Sequence, residues 1–320
     1  PLPLQLLNYI RMQRYFRELS VAGALVLLLA VLAIWAPHFY EPQPLLSRFT
    51  AQTPALILTI GMTMVMIVRQ IDISVGSQFG VCAVVAGLVS ASGAPLIASL
   101  AAAIGAGALM GALNGVLVAW MGLPSIVVSL ATMVTWAELL RLRQQGQFIN
   151  LPSNVQWFGL SQSTGQITLI VGSVLLLAIF SWVLKNWSGG RHIYAVGSDA
   201  EAARLAGINP KLTTFLVFVL MGTLAGLAAV LNMVQSPQVD PKCGVALELR
   251  AIAAAVVGGV AVSGGRGRLW GAFVGLILLA TINPALTFLH VAAYWERAIQ
   301  GLVILLAVIA DGLRSRRQNS

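Results

Sequence analysis

The sequence predicts an all-α polytopic membrane protein of about ten transmembrane helices, and three observations carry that prediction. Only 9% of its 320 residues are charged and 58% are hydrophobic, with a mean hydropathy of +0.87. An ordinary soluble domain is about 25% charged, and here too few polar residues remain to cover a water-facing surface. Secondly, apolar stretches of roughly 20 residues, the length a helix needs to cross about 30 Å of hydrocarbon, recur along the whole chain. Thirdly, those stretches are unbroken, as in VAGALVLLLAVLAIWA (Val21 to Ala36). A membrane barrel would alternate apolar and polar residues instead. Backbone N–H and C=O groups in lipid must be satisfied internally, so the spans are helical.

Taken in order, a basic stretch with Arg11, Arg14 and Arg17 precedes a first span near Ser20–Ala36. That run is long and lacks a small-residue cleavage site, so it reads as a true span and not as a cleavable signal. The segment HFYEPQPLLSRFTAQ reads as an interfacial loop. Further spans fall near Pro54–Val68, Ser74–Ser90, Pro95–Trp120, Leu123–Leu140, Ile167–Leu184, Leu212–Val234, Glu248–Val262, Leu269–Leu289 and Tyr294–Ala310. The third and eighth are short enough to be broken or re-entrant. The whole chain, 1–320, forms one membrane domain.

Orientation follows from Lys and Arg, which are retained on the cytoplasmic side. With the N-terminus inside, the inner segments carry Arg11, Arg14, Arg17, Arg69, Lys185, Arg191, Arg204, Lys211, Arg266, Arg268, Arg314, Arg316 and Arg317; the outer loops carry Arg48, Arg141, Arg143 and Lys242. Both termini are then cytoplasmic. The net charge of +9 is scattered among these loops and forms no basic face for nucleic acid.

An internal repeat is suggested by glycines. Gly107, Gly111 and Gly115 in the fourth span are followed by Pro124, and Gly267, Gly271 and Gly275 in the ninth by Pro284; Leu109 and Ala112 match Leu269 and Ala272. Helices five apart cross in opposite directions, so residues 53–140 and 212–310 would be inverted repeats, an architecture of transporters. Small-xxx-small spacing is also what any closely packed helix pair uses.

No catalytic constellation is present. His38, His192 and His290 are isolated, Cys82 and Cys243 have no metal-ligand spacing and read as packing residues, and no GxxxxGK[ST] phosphate loop occurs. The chain therefore reads as a non-enzyme that carries no cofactor, with any ATP held by other subunits. Its most informative polar feature is the inner loop of about 185–211. There Ser198 and Glu201 have capping-box spacing, Ala200 to Leu205 favour helix, and Gly207 and Pro210 supply a stop. A short amphipathic helix results, which is either a plain connector or a docking helix for an ATPase.

Three stretches, IDISVGS (Ile71 to Ser77), GRHIYAVGSDAEAARLAGIN (Gly190 to Asn209) and AIAAAVVGGVAVSGGRGRLWGAFVG (Ala251 to Gly275), resemble the best-marked segments of the ribose-type ABC permease family, in the same order within Thr53 to Asp311. That family imports pentoses, hexoses, deoxysugars such as rhamnose, and the autoinducer-2 furanosyl signal. The resemblance implies a ten-helix permease in the bacterial inner membrane, pairing with a second copy or paralogue. It also implies two ATP-binding cassette subunits beneath and a periplasmic sugar-binding protein that delivers cargo. By the same resemblance, Asp199, Ala200, Glu201, Ala202, Arg204, Leu205 and Gly207 form the ATPase-coupling segment, to which the capping-box spacing adds Ser198, and Asp72, Ser74, Gly76 and Ser77 form the family signature. The chain departs from the family at Arg250, where members often carry an acidic residue.

Polar residues inside spans are costly and mark candidate paths. Asn114, Asn232 and Asn283 are candidates for the translocation path, with interhelical glue the competing role; Glu248 and Arg250 also lie in or beside spans. Glu138 and Arg141 read as an i,i+3 ion pair near the interface. The SGGRGR turn (Ser263 to Arg268) reads as a tight cytoplasmic turn in preference to a phosphate nest. An ion-coupled secondary transporter, a membrane receptor or scaffold, and a membrane enzyme are the rival readings; the first would call for a buried mid-span acid.

Overall fold

The computed structural model describes residues 4–288 together with 298, 301, 302 and 305. Helix α1 (Leu4–Trp35) runs without a break, so Arg11, Arg14 and Arg17 belong to the helix instead of preceding it. The expected interfacial loop is helical: a 3-10 turn (Pro37–Tyr40) leads into α2 (Pro42–Ala51), with prolines in their first turns, where a missing N–H leaves no bond unmade. Through Gln52, itself in the αR region, α2 runs into α3 (Thr53–Ile67), giving a 26-residue apolar stretch.

Helices α4 (Val75–Ala91), α5 (Leu96–Ala119) and α6 (Ser125–Gln144) follow, and α6 stops at left-handed Gln145. Beyond it come strand β1 (Ile149–Asn150), a 3-10 turn (Gln156–Gly159) and α7 (Gln162–Asn186), capped by Ser161. The connecting region holds α8 (Ser188–Ser198) and α9 (Ala200–Leu205). Then follow α10 (Pro210–Met233), β2 (Gln238–Val239), α11 (Leu247–Val257) and α12 (Leu269–Phe288).

Among the described residues, six stretches are long and apolar enough to cross a bilayer. The third and eighth expected spans are the short ones: α4 has 17 residues and α11 only 11, a rise of about 16 Å or half a bilayer. The tenth expected span, near Tyr294–Ala310, lies almost wholly outside the described residues.

α3 is apolar all round, and such a helix belongs in a core. All fifteen of its residues are buried, against α10, α11, α12 and α7. Around it, α5, α6 and α7 turn Leu109, Val127, Leu142, Ile167 and Leu175 outward, the pattern of helices facing lipid. Lipid is as apolar as this core, so the helices associate through close packing and polar contacts. The most extensive close approach is α5 on α10. A Cβ added to Gly107 would run into the Gly222 carbonyl and one on Gly111 into that of Phe218, while one on Gly226 would meet Ala103.

The second glycine run packs differently. Gly271 and Gly275 press on Ala254 of α11 and on Gly258 just beyond its end, and Gly267 lies in the turn before α12. Pro124 caps α6, whereas Pro284 sits inside α12. Equal spacing thus serves unequal contacts. The element pairings are more regular: α5 packs on α10 and α4, α12 packs on α3 and α11, and α4 lies on α10 as α11 lies on α3.

One ladder, absent from the all-α expectation, joins distant loops: Ile149 pairs with Val239 and Asn150 with Gln238, antiparallel. The chain after it descends along α4, with Val239 against Gly87, the Pro241 carbonyl against Gly80 and Gly244 against Gly76. Each of these glycines removes a Cβ from the path of this segment.

Candidate functional site

Two polar assemblies stand out in an apolar bundle, and both involve the C-terminal end of α3. The first fills the break between α3 and α4. Burying a carboxylate is costly unless it is paired and hydrogen-bonded, and Asp72 is fully buried. Its Oδ1 accepts from the Ser74 backbone N–H at 3.0 Å and from Ser74 Oγ at 2.5 Å, and its Oδ2 from Gln78 Nε2 at 3.3 Å. Ser74 Oγ is the hub, for it also accepts from Gln78 Nε2 at 2.7 Å and from Asn114 Nδ2 of α5 at 2.8 Å. Ser125 Oγ at the start of α6 accepts from the Ile71 N–H at 3.2 Å. Three helices are thereby tied to one buried turn.

Gly76, the second residue of α4, is overlaid by the Gly244 carbonyl and the Glu248 carboxylate, so any side chain there would clash. Ser77 Oγ donates to the Ser74 carbonyl at 2.8 Å. Glu248 is half-buried at the start of α11, beside exposed Val245 and Leu249.

The second assembly lies where α8 ends. Gly197 abuts the Ile67 carbonyl at the end of α3, and that carbonyl accepts from the Gly265 N–H at 2.8 Å. Arg69, at a φ of 62°, reaches across with Nη2 to the Ser198 carbonyl at 2.5 Å. Gly264 and Gly265, at φ of 82° and 69°, let the turn pass where side chains would strike Arg69 and Ser198. Tyr194 Oη of α8 donates to the Gly267 carbonyl at 2.8 Å. SGGRGR is therefore a packing turn that locks α8 to α3.

Beyond this joint, the chain turns through extended Asp199 into α9. The sequence spacing pointed to Ser198 as the cap; the structure corrects this. Ser198 is the last residue of α8, and Asp199 Oδ1 accepts from the N–H groups of Glu201 at 2.9 Å and Ala202 at 3.0 Å. Glu201 does not reach back to the cap: Arg204 holds it in a two-pronged pair. At the other end the Ile208 N–H returns to the Ala203 carbonyl and that of left-handed Gly207 to Arg204. This is the glycine-dependent stop seen at many helix ends. Ala203 is buried, while Ala200, Ala202 and Leu205 are exposed, Leu205 at 77%. The backbone N–H groups of Ala202 and Glu201 hold the Asp199 carboxyl below the usual carboxylate range, and the Arg204 guanidinium lowers that of Glu201.

The structure places Asn114 and Asn232 apart. Asn114 is fully buried and bonded to Ser74. Asn232 is partly buried near the far end of α10, and because Gly115 packs on Phe215, roughly 25 Å of helix axis separate it from Asn114. The Asn283 side chain lies outside those described. Glu138 and Arg141 form the expected exposed pair at 3.3 Å. Sequence reading missed Gln78, which bonds to nearby Ser74 and Asp72, and also Arg69 and Gly244, whose partners Ser198 and Gly76 are remote in the chain and carry no local signal. Among the described residues no group of His, Cys, Asp or Glu could hold a metal ion.

Contacts through Gly197, Ser198 and Arg69 link an exposed capped helix to the buried helix at the centre of the bundle. The model of the family described as branched-chain amino acid transport system / permease component matches residues 45–308. Autoinducer 2 import system permease proteins LsrC are similar over 92% of this chain: that of Enterobacter sp. (strain 638) is 36% identical over 297 residues, 87% of its own length, and that of Salmonella typhi is 33% identical over 302 residues, 86% of its length. The LsrC protein of Escherichia coli (strain K12 / DH10B) is 33% identical over 297 residues. No solved structure matches. With a matching family model over most of its length and relatives named as import permeases, the chain belongs to the ribose- and autoinducer-2-type family of ABC transporter permeases, as a multi-pass protein of the inner membrane.

Proposed function

We propose that the chain is the membrane-spanning subunit of a bacterial importer for a monosaccharide or related small polyol of the ribose, rhamnose or autoinducer-2 kind. Solute crosses by alternating access, driven by separate subunits that bind and hydrolyse ATP. The observation that carries this reading is the joint between α8 and α3. An exposed capped helix, α9, is fastened through Gly197, Ser198 and Arg69 to the helix at the centre of the bundle. Motion imposed on α9 by an ATPase has a stiff route to α3 and from there to the Asp72 turn.

The names of the relatives favour autoinducer-2 among the cargoes. The Lys and Arg distribution supports cytoplasmic termini with α9 inside, and the mirrored helix pairings support inverted repeats over 53–140 and 212–310. A periplasmic binding protein delivers cargo on the opposite side, and a second permease, identical or paralogous, completes the path. Asp199 to Gly207 form the contact with the ATPase; Asp72, Ser74, Gly76 and Ser77 form the turn that the contact moves.

Uptake of labelled ribose, rhamnose and autoinducer-2 into proteoliposomes holding this chain, its ATPase and its binding protein tests the proposal. ATP-dependent uptake of one cargo is the expected result, severalfold lower for Glu201→Arg, which breaks the Arg204 pair but leaves the Asp199 cap. Uptake driven by an ion gradient in the absence of the ATPase would replace the proposal with a secondary transporter.

A further inference from the structure

We propose that the groove between α7, α8 and α10 binds one anionic phospholipid, an acyl chain lying in the cleft and the phosphate resting on a rim of Lys185, Arg191 and Lys211. The cleft has a volume of about 190 Å³ and is lined by Phe180 and Val183 of α7, Ile193 of α8 and Leu216 and Leu220 of α10. It is larger than the roughly 150 Å³ apolar cavity that suffices for a benzene ring. Its polar end is marked by Gly190, His192 and Thr213.

The rim is one-signed. Each of the three cations stands within two residues of a lining residue, all three are exposed, and Lys185 and Lys211 form no ion pair among the described residues. Arg191 gives one N–H to the Asn186 carbonyl at 3.0 Å and has others to spare. Residues 162–198 and 210–233 contain no Asp or Glu. The nearest acids in sequence, Asp199 and Glu201, are engaged with the α9 backbone and with Arg204. A basic cluster at the mouth of a cleft between membrane helices is the chemistry that retains an acidic headgroup.

The apolar surroundings identify the occupant as a lipid and not a protein helix. Trp182 and Trp187 are exposed at 57% and 61% beside the rim, as indoles at the headgroup level are. Ile179, Leu212 and Leu216 are exposed on the same helices, so the groove opens onto the surface that already faces acyl chains.

The test uses the purified full chain in detergent, with phosphatidylglycerol and phosphatidylcholine as probes and retained lipid read by native mass spectrometry. Wild type is expected to keep one phosphatidylglycerol in preference to phosphatidylcholine and to gain thermal stability from it. Each of Lys185→Ala, Arg191→Ala and Lys211→Ala should weaken that retention about fivefold, in line with the attraction of one cation near an anionic headgroup. Leu216→Trp, which fills the cleft and spares every cation, should also displace the lipid. Unchanged phosphatidylglycerol retention in the triple charge variant, or equal retention of phosphatidylcholine by wild type, would overturn the site. The readout needs neither ATPase nor cargo, so it stands apart from the transport proposal.

Discussion

Ser74 is the residue on which the buried turn depends. One hydroxyl donates to Asp72 and accepts from Gln78 and Asn114, so the buried carboxylate and the nitrogens of both amides are bonded through it. Removing one partner of such a group costs about 1–3 kcal/mol, because the other keeps its desolvation without its bond. Asn114→Ala and Ser74→Ala are each expected to lose that much in mixed-micelle unfolding. The two effects should fall short of additive by about 0.5 kcal/mol or more, since both break the same contact. At the exposed end, Asp199 titrates outside the range that matters in a cell. Its folded pKa is lowered, so its contribution to the α9 cap is complete above the unfolded value of about 3.9 and lost only as pH falls through the folded one. ATP-dependent uptake by Asp199→Asn should therefore keep the pH profile of wild type between about pH 6 and 8, whereas Asp199→Ala, which removes the cap acceptor, should lower uptake severalfold at every pH in that window.

At the scale of elements, α9 is six residues long and cannot stand by its own cooperativity. It persists because both ends are closed, by Asp199 in front and by the Gly207 turn behind. Gly207 has a φ of 82° and open space around it, so Gly207→Ala meets no clash and bears only the left-handed penalty of about 1–2 kcal/mol. Reduced uptake with normal membrane levels is the expected outcome; hydrogen exchange at Ala203 to Ile208 should accelerate in step. The α5–α10 contact is a different kind of joint, backbone against backbone with no room to give. Gly111→Val drives a branched side chain into the Phe218 backbone and should lower the thermal midpoint measurably, by at least the 1–3 kcal/mol typical of overpacking.

For the whole molecule, the joint at Arg69 decides whether α9 and α3 move together. Arg69→Gln removes the reach to Ser198, and in the assembled importer uptake should fall more than ATP hydrolysis does, a ratio that a merely unstable protein would leave unchanged. The sequence by itself determined the membrane class, the positions of nine of the helices, the Ala200 to Leu205 helix with its Gly207 stop, and the Glu138–Arg141 pair, because hydropathy, capping preference and i,i+3 spacing are local properties. It misassigned the cap to Ser198, since S-x-x-E spacing is indifferent to which of two adjacent polar residues ends the preceding helix, and it read the Pro42–Ala51 helix as a loop. Only the tertiary structure decided that Asn114 serves Ser74, that Gly76 makes way for Gly244 and Glu248, and that the 197–198, 264–265 and 67–69 segments meet. Those contacts join residues far apart in the chain across helices that pack without a hydrophobic driving force, so the close fit of backbone to backbone, which no local pattern encodes, chose the partners.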